Sequence, residues 1–150
     1  MSRAEVGLAV ATFLGGALPW LEAVVVIPAG ILGGLDPVVA VVSGVSGNLL
    51  TVAAAAYGGD RIIGAWRRWR RRRNPEAAPP DAEHRPSRAE RVFRRYGMPA
   101  LALLGPIAIG TQLSAITAVA LGVSSTRAFA WVAAGTIGWG VAAGAGLAAF

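Results

Sequence analysis

Leu18-Pro19-Trp20-Leu21-Glu22 opens an apolar stretch that is interrupted at Ile27-Pro28-Ala29-Gly30 and closes on Gly44-Val45-Ser46-Gly47-Asn48. Glu22 is the only acidic residue between Val6 and Leu35. A carboxylate at membrane depth is costly, and such groups usually face a bundle interior or a wet cavity. A proline on either side of it removes a backbone donor and interrupts the helix. A lone charge beside broken helices is typical of a transport site; the alternative is a buried structural acid.

The apolar residues of this chain fall into four long segments. The chain has 150 residues, of which 55% are hydrophobic, and its mean hydropathy is +0.55. Residues 6–35, 37–59, 98–123 and 128–150 are almost free of charge, and each exceeds the roughly 18 apolar residues that suggest a membrane span. The sequence therefore predicts an all-α, multi-pass integral membrane protein.

The basic residues are concentrated between the second and third apolar segments. All fourteen are arginines, and twelve of them lie between Arg61 and Arg95. Beside apolar spans such a patch favours anionic lipid headgroups over nucleic acid as the partner. The chain has no cysteine, and its single histidine, His84, lies in a Pro-rich stretch. Neither a metal site nor a cofactor is predicted.

This arginine-rich connector is predicted to contain two interfacial helices. In residues 60–73, isoleucines and tryptophans recur at helical spacing among arginines, and tryptophan favours the membrane–water interface. Residues 74–86 are rich in proline and predict a flexible linker. Ser87-Arg88-Ala89-Glu90 is a capping-box pattern for a second amphipathic helix that ends at Gly97. The alternative is a solvated charged face. The predicted headgroup-binding residues are Arg67, Arg68, Arg88, Arg91, Arg94 and Arg95.

The first and third apolar segments are interrupted by proline and glycine, whereas the second and fourth are cleaner. Pro37 suits the first position of a helix that is predicted to end at Gly58-Gly59. An interrupted segment can form a re-entrant hairpin that enters and leaves the membrane on one side. We predict two inverted repeats, each a re-entrant hairpin plus one transmembrane helix. The predicted domains are residues 1–59, the connector 60–97, and residues 98–150.

Charge supports this topology and orients it. If the two interrupted segments re-enter, Arg127 lies on the same side as the connector, and the positive-inside rule makes that side cytoplasmic. If all four segments span, Arg127 lies on the opposite side. We therefore predict an inner-membrane protein with a cytoplasmic connector. Small residues in the last segment, such as Gly140 and Gly144, allow close helix contact, and we expect a homo-oligomer.

Short motifs along the whole chain resemble a known family. They are Glu22, Ile27-Pro28-Ala29-Gly30, Gly47-Asn48, Arg95-Tyr96-Gly97 and Gly110-Thr111-Gln112-Leu113-Ser114-Ala115. In this order they resemble the small multidrug export (small multidrug efflux) family, which is similar in fold to the DedA/VTT membrane proteins. The resemblance implies a transporter with paired re-entrant hairpins. Relatives place an arginine shortly after the acidic residue, whereas Ala23 and Val24 follow Glu22 here.

The function predicted from these features is proton- or ion-coupled efflux of a small cationic or amphipathic compound. The alternatives are a lipid or carrier-lipid translocase of the DedA/VTT type and a non-transporting membrane scaffold. An enzyme is not predicted, because no nucleophile–base pair or phosphate-binding loop is recognisable. The predicted substrate or proton site comprises Glu22, Pro28, Gly30, Asn48, Gly110, Thr111, Gln112 and Ser114.

Overall fold

The computed structural model describes residues 2–19, 21–73 and 88–148, and every secondary-structure element in these ranges is an α-helix. The described elements are α1 (Arg3–Ala17), α2 (Glu22–Leu32), α3 (Pro37–Arg73), α4 (Arg88–Ala108), α5 (Thr111–Ala120) and α6 (Ser125–Ala148). The predicted linker at residues 74–86 and Ser87 of the capping-box pattern lie outside the described residues.

The first apolar segment forms two short antiparallel helices rather than one. Leu18 ends α1 with extended dihedral angles (φ −79°, ψ 132°), as expected for a residue that precedes a proline. The chain then reverses, and α2 begins at Glu22. With 15 and 11 residues, α1 and α2 are about 22 Å and 16 Å long, which is less than the bilayer core of about 30 Å. We call α1 and α2 the first hairpin.

The third apolar segment repeats this arrangement. Gly97 adopts φ 72° and ψ −165°, so it separates an arginine-bearing part of α4 from residues 98–108. Gly110, at φ 91°, then reverses the chain into α5, which has 10 residues. Such backbone angles are open to glycine and costly for other residues. We call residues 98–108 and α5 the second hairpin. The predicted end of this helical part at Gly97 agrees with the kink there, whereas its interfacial location stays a prediction.

The same kind of turn connects each hairpin to the long helix that follows it. After α2, Gly34 has φ 101°, and Leu35 N–H donates to the Gly30 carbonyl oxygen at 3.0 Å. After α5, Gly122 has φ 93°, and Val123 N–H donates to the Ala118 carbonyl oxygen at 3.0 Å. Both are Schellman-type helix ends. That the two halves are inverted in a membrane stays a prediction.

Two helices are long and apolar enough to cross a membrane, judged by length and composition over the described residues. These spans are Pro37–Gly59 in α3 and Ser125–Leu147 in α6, and only 28% and 39% of their most apolar windows are buried. Exposed Val38, Val42 and Ile137 give them outward apolar faces, which a membrane would cover.

Asp36 caps α3 by accepting from Val38 N–H at 2.8 Å, and Pro37 occupies the first helical position, as predicted. The predicted end at Gly58-Gly59 is wrong, since α3 continues to Arg73. A glycine inside a helix costs only about 1 kcal/mol, and good helix formers lie on both sides.

Glycines allow the helices to approach closely. A Cβ on Gly47 of α3 would collide with the Phe13 carbonyl oxygen of α1, and one on Gly135 of α6 with the Ala102 carbonyl oxygen of α4. Between α3 and α6, Gly140 and Gly144 leave room for Val45 and Val41. The interpretation of these glycines as packing positions is confirmed. Their close contacts bring the turns of the two hairpins together.

Candidate functional site

The turns of the two hairpins meet at Glu22. Its Oε1 accepts a hydrogen bond of 2.6 Å from the backbone N–H of Thr111, and the Thr111 hydroxyl lies 3.3 Å from the same oxygen. Glu22 is the first residue of α2, and Thr111 is the first residue of α5. The carboxyl group therefore lies at the N-terminal, partially positive ends of two helices. Only 6% of the Glu22 surface and 1% of the Thr111 surface are exposed.

The backbone at this junction is strained. Glu22 has φ 42°, the only positive φ among the described non-glycine residues. Such a conformation costs about 1–3 kcal/mol and is found preferentially at functional sites. On the facing turn, a Cβ on Gly110 would lie 3.1 Å from Glu22 Oε1. Gly110 therefore provides both the backbone conformation and the space that the carboxyl group needs.

The long helices complete a polar cluster around Thr111. From α3, Asn48 Oδ1 lies 3.2 Å from the Thr111 hydroxyl, and from α6 the Thr136 hydroxyl lies 3.4 Å from the same amide oxygen. Gln112 Oε1 lies 3.1 Å from the Thr111 hydroxyl, while Gln112 Nε2 donates to the Thr51 hydroxyl at 3.0 Å. Asn48 is fully buried and Thr136 is 2% exposed. Four helices thus enclose the site.

The cluster holds more acceptors than the Thr111 hydroxyl can serve. Three side-chain oxygens lie within 3.3 Å of it, on Glu22, Asn48 and Gln112. A hydroxyl has one proton to donate. If the Asn48 amide turns over, its NH₂ can donate to Thr111, but its carbonyl oxygen then becomes the unpaired atom. The Thr111 hydroxyl therefore donates to only one of these oxygens at a time, and a proton on Glu22 would supply one further donor.

Two buried polar atoms of the cluster have no hydrogen-bond partner. They are Glu22 Oε2 and Asn48 Nδ2. An unpartnered buried polar atom is costly and calls for an explanation such as a bound ion, water or ligand. No described basic residue forms an ion pair with Glu22, which agrees with the absence of an arginine directly after it. The second carboxyl oxygen is buried and has no hydrogen-bond partner among the described residues.

Most of the residues predicted for the site lie together, and two do not. Glu22, Asn48, Gly110, Thr111 and Gln112 form the cluster, and Ser114 adjoins it by donating to the Gly110 carbonyl oxygen at 2.7 Å. Pro28 and Gly30 lie six and eight residues further along α2, about 9 and 12 Å away along its axis. Gly30 packs against Thr12, whose hydroxyl would lie 2.8 Å from an added Cβ.

Thr51 and Thr136 belong to the cluster but are not predicted from the sequence. Thr51 lies one helical turn from Asn48 in α3, and Thr136 is the one hydroxyl residue of α6 beyond its first turn. The three-residue spacing from Asn48 is the one sequence signal for Thr51, because residues three apart lie on the same face of a helix.

The predicted headgroup arginines lie in α3 and α4. Arg68, Arg91, Arg94 and Arg95 are exposed, and Arg95 lies over the Tyr96 ring at 5.3 Å from its centroid. The side chains of Arg67 and Arg88 are outside the described part of the structure. Within the described ranges, no group of three or more histidine, cysteine or acidic residues could hold a metal ion.

These features define an all-helical membrane protein in which two short hairpins meet at a buried carboxyl group between two long apolar helices. The family model described as "Putative small multi-drug export protein" matches residues 22–142, which is most of the chain. The protein belongs to this family. The match begins at Glu22, so α1 precedes it. No curated protein and no solved structure matches the chain.

Proposed function

We propose that this protein is a small exporter in which Glu22 exchanges a proton or cation for a small cationic or amphipathic substrate. The family description supports export, and the buried carboxyl group that shares the Thr111 hydroxyl with two amide oxygens supports the assignment of the exchange to Glu22. The observation that carries the proposal is the free, buried Glu22 Oε2.

The surroundings of Glu22 suit a group that changes its protonation state. The Thr111 N–H and two helix N-termini stabilise the carboxylate form. The protonated form can itself donate to a neighbouring acceptor oxygen. A cationic substrate would replace that proton as the partner of the same oxygens. Proton and substrate then compete for one carboxyl group.

In this proposal both hairpins are re-entrant and the two halves form inverted repeats. The lengths of α2 and α5 support this, because each is too short to cross the bilayer. The hairpins enter from opposite sides and meet near the midplane, while α3 and α6 span. The connector is cytoplasmic in an inner membrane, which agrees with its arginines. Discontinuous helices that meet at a midplane site are common among secondary transporters.

A homo-oligomer is part of the same proposal. Gly138 and Gly146 of α6 have no atom within 4 Å of an added Cβ. An outward face of small residues allows close contact with a second copy in a membrane. Crosslinking between cysteines introduced at position 138 in reconstituted protein tests this part separately.

The proposal is tested by efflux from proteoliposomes. Ethidium is the cationic probe, and its efflux is followed under an imposed proton gradient at several pH values. Glu22→Gln keeps the acceptor for Thr111 N–H but removes the charge and the titration. We expect it to insert normally and to lose about tenfold or more of the efflux, since an interaction with a charged group contributes about 1.5–3 kcal/mol.

The matched control is Glu5→Gln, the same chemical change in the first turn of α1. Glu5 is exposed, and glutamine also suits its capping-box position. We expect its pH profile to equal that of the parent. Efflux by Glu22→Gln equal to the parent at every pH would make Glu22 structural. Failure of this variant to fold would assign the carboxyl group to the hairpin architecture and make Thr111–Ser114 the better site candidate.

A further inference from the structure

A groove lies along α4 and does not include Glu22 in its lining. It encloses 440 Å³, within the range of small-molecule pockets, and it spans the bend at Gly97. At one end it is lined by Arg91, Arg95 and Tyr96. The other end is apolar and reaches Ile109, the residue before Gly110.

The two ends differ in chemistry. Arg91 and Arg95 are one helical turn apart and exposed, and neither forms an ion pair with any residue in the described ranges. Two neighbouring guanidinium groups are suited to a phosphate, which arginine binds through paired hydrogen bonds. The apolar wall that a ligand can contact is formed by Leu104 and Ala108, which share one face of α4 above the fully buried Leu101. Such a wall suits a hydrocarbon chain.

The bend at Gly97 places these two ends in one groove. Its φ of 72° and ψ of −165° lie outside the helical region, so the arginine-bearing part of α4 is not collinear with residues 98–108. Leu104 is 48% exposed, and the neighbouring Leu103 and Ile107 are 59% and 63% exposed. The groove therefore opens onto an apolar outer surface that a bilayer would cover, with its charged end towards the interfacial part of α4.

We propose that this groove binds one anionic membrane lipid, with the phosphate between Arg91 and Arg95 and an acyl chain along Leu104 and Ala108. The cationic substrate of the export proposal does not suit it, because its polar end is positively charged. The lipid site is therefore distinct from the Glu22 site. Since the groove ends next to Gly110, a bound lipid would contact the turn that faces Glu22.

The test is lipid binding to the full-length protein, purified in detergent and followed by native mass spectrometry. The probes are dioleoylphosphatidylglycerol and, as the zwitterionic comparison, dioleoylphosphatidylcholine. We expect phosphatidylglycerol to bind preferentially to the parent. Arg91→Gln with Arg95→Gln should weaken this binding about thirtyfold, because each arginine near an anionic lipid contributes roughly fivefold.

The matched control is Arg68→Gln with Arg94→Gln, which removes the same charge from connector residues that do not line the groove. We expect a much smaller loss than for the groove pair. Ala108→Phe changes no charge but fills the apolar end, and it should also weaken binding.

Equal losses in the two double variants would overturn the proposal in favour of a diffuse charged surface. Equal binding of both lipids by the parent would also overturn it, as would an Ala108→Phe variant that bound phosphatidylglycerol like the parent. If inorganic phosphate at millimolar concentration displaced phosphatidylglycerol, the proposal would be overturned, because the ligand of the groove would then be free phosphate and not a lipid. All these variants retain Glu22, so failure of the lipid site and failure of the exporter are separate results.

Discussion

Gly110→Ala should disturb the contact between the two hairpins at a single point. Gly110 has φ 91° and ψ 144°, a region that is nearly restricted to glycine, so an alanine there costs about 1–3 kcal/mol in backbone strain. The added Cβ would also lie 3.1 Å from Glu22 Oε1 and push this oxygen away from Thr111 N–H. Loss of that 2.6 Å bond to a carboxyl group adds about 1.5–3 kcal/mol. We expect a total destabilisation of about 3–6 kcal/mol.

Gly97→Ala is the matched control for backbone strain. Gly97 has a similar conformation (φ 72°, ψ −165°), but an added Cβ there meets only Pro99 Cδ at an ordinary 3.7 Å. Its cost should therefore be about 1–3 kcal/mol from strain alone. Thermal unfolding in detergent measures both variants. The two variants should differ by the lost hydrogen bond alone, which is about 1.5–3 kcal/mol. At about 2–4 °C per kcal/mol for a chain of this size, the unfolding midpoint of Gly110→Ala should therefore lie at least about 3 °C below that of Gly97→Ala.

A double-mutant cycle identifies the partner of the added methyl group. With Glu22→Ala as background there is no carboxyl group to displace, so Gly110→Ala should cost only its backbone strain. Equal midpoints for Gly110→Ala and Gly97→Ala, or the same effect of Gly110→Ala with and without the carboxyl group, would refute the contact as the cause.

Two further perturbations test the packing and the topology. Gly47→Ala should destabilise the protein by about 1–3 kcal/mol or more, because the added Cβ would collide with the Phe13 carbonyl oxygen. Its control is Gly58→Ala, where the added Cβ has no atom within 4 Å, and this variant should be neutral or stabilise α3 by up to about 1 kcal/mol. Similar unfolding midpoints for the two variants would contradict the close approach of α1 to α3. Cysteines at Leu32, which is 80% exposed, and at Ser124 should react with impermeant maleimide from opposite sides of the membrane. Reaction from one side would exclude the proposed topology.

Local features of the sequence were sufficient to predict the helices and their interruptions. Pro19 and Gly110 interrupt the two apolar segments where the hairpins turn, and Asp36-Pro37 begins α3. These features act through neighbouring residues, since a proline removes its own N–H and a glycine permits its own φ. Two predictions were wrong. The predicted interruption at Ile27-Pro28-Ala29-Gly30 does not break α2, which continues through Pro28 to Leu32. The predicted end of α3 at Gly58-Gly59 is also wrong, because helix formers on both sides outweigh two weak breakers.

The composition of the candidate site depended on contacts that sequence patterns do not contain. Glu22 was conspicuous as a lone acid, but its partner Thr111 lies 89 positions away, and Thr136 lies 88 positions from Asn48. Motif resemblance grouped Pro28 and Gly30 with the site, although they lie further along α2. Hydrophobic periodicity indicates which face of a helix is buried, not which helix covers it. The glycine contacts between α1 and α3 and between α4 and α6 set how closely the helices approach, and this approach brings the carboxyl group to the N-terminus of α5.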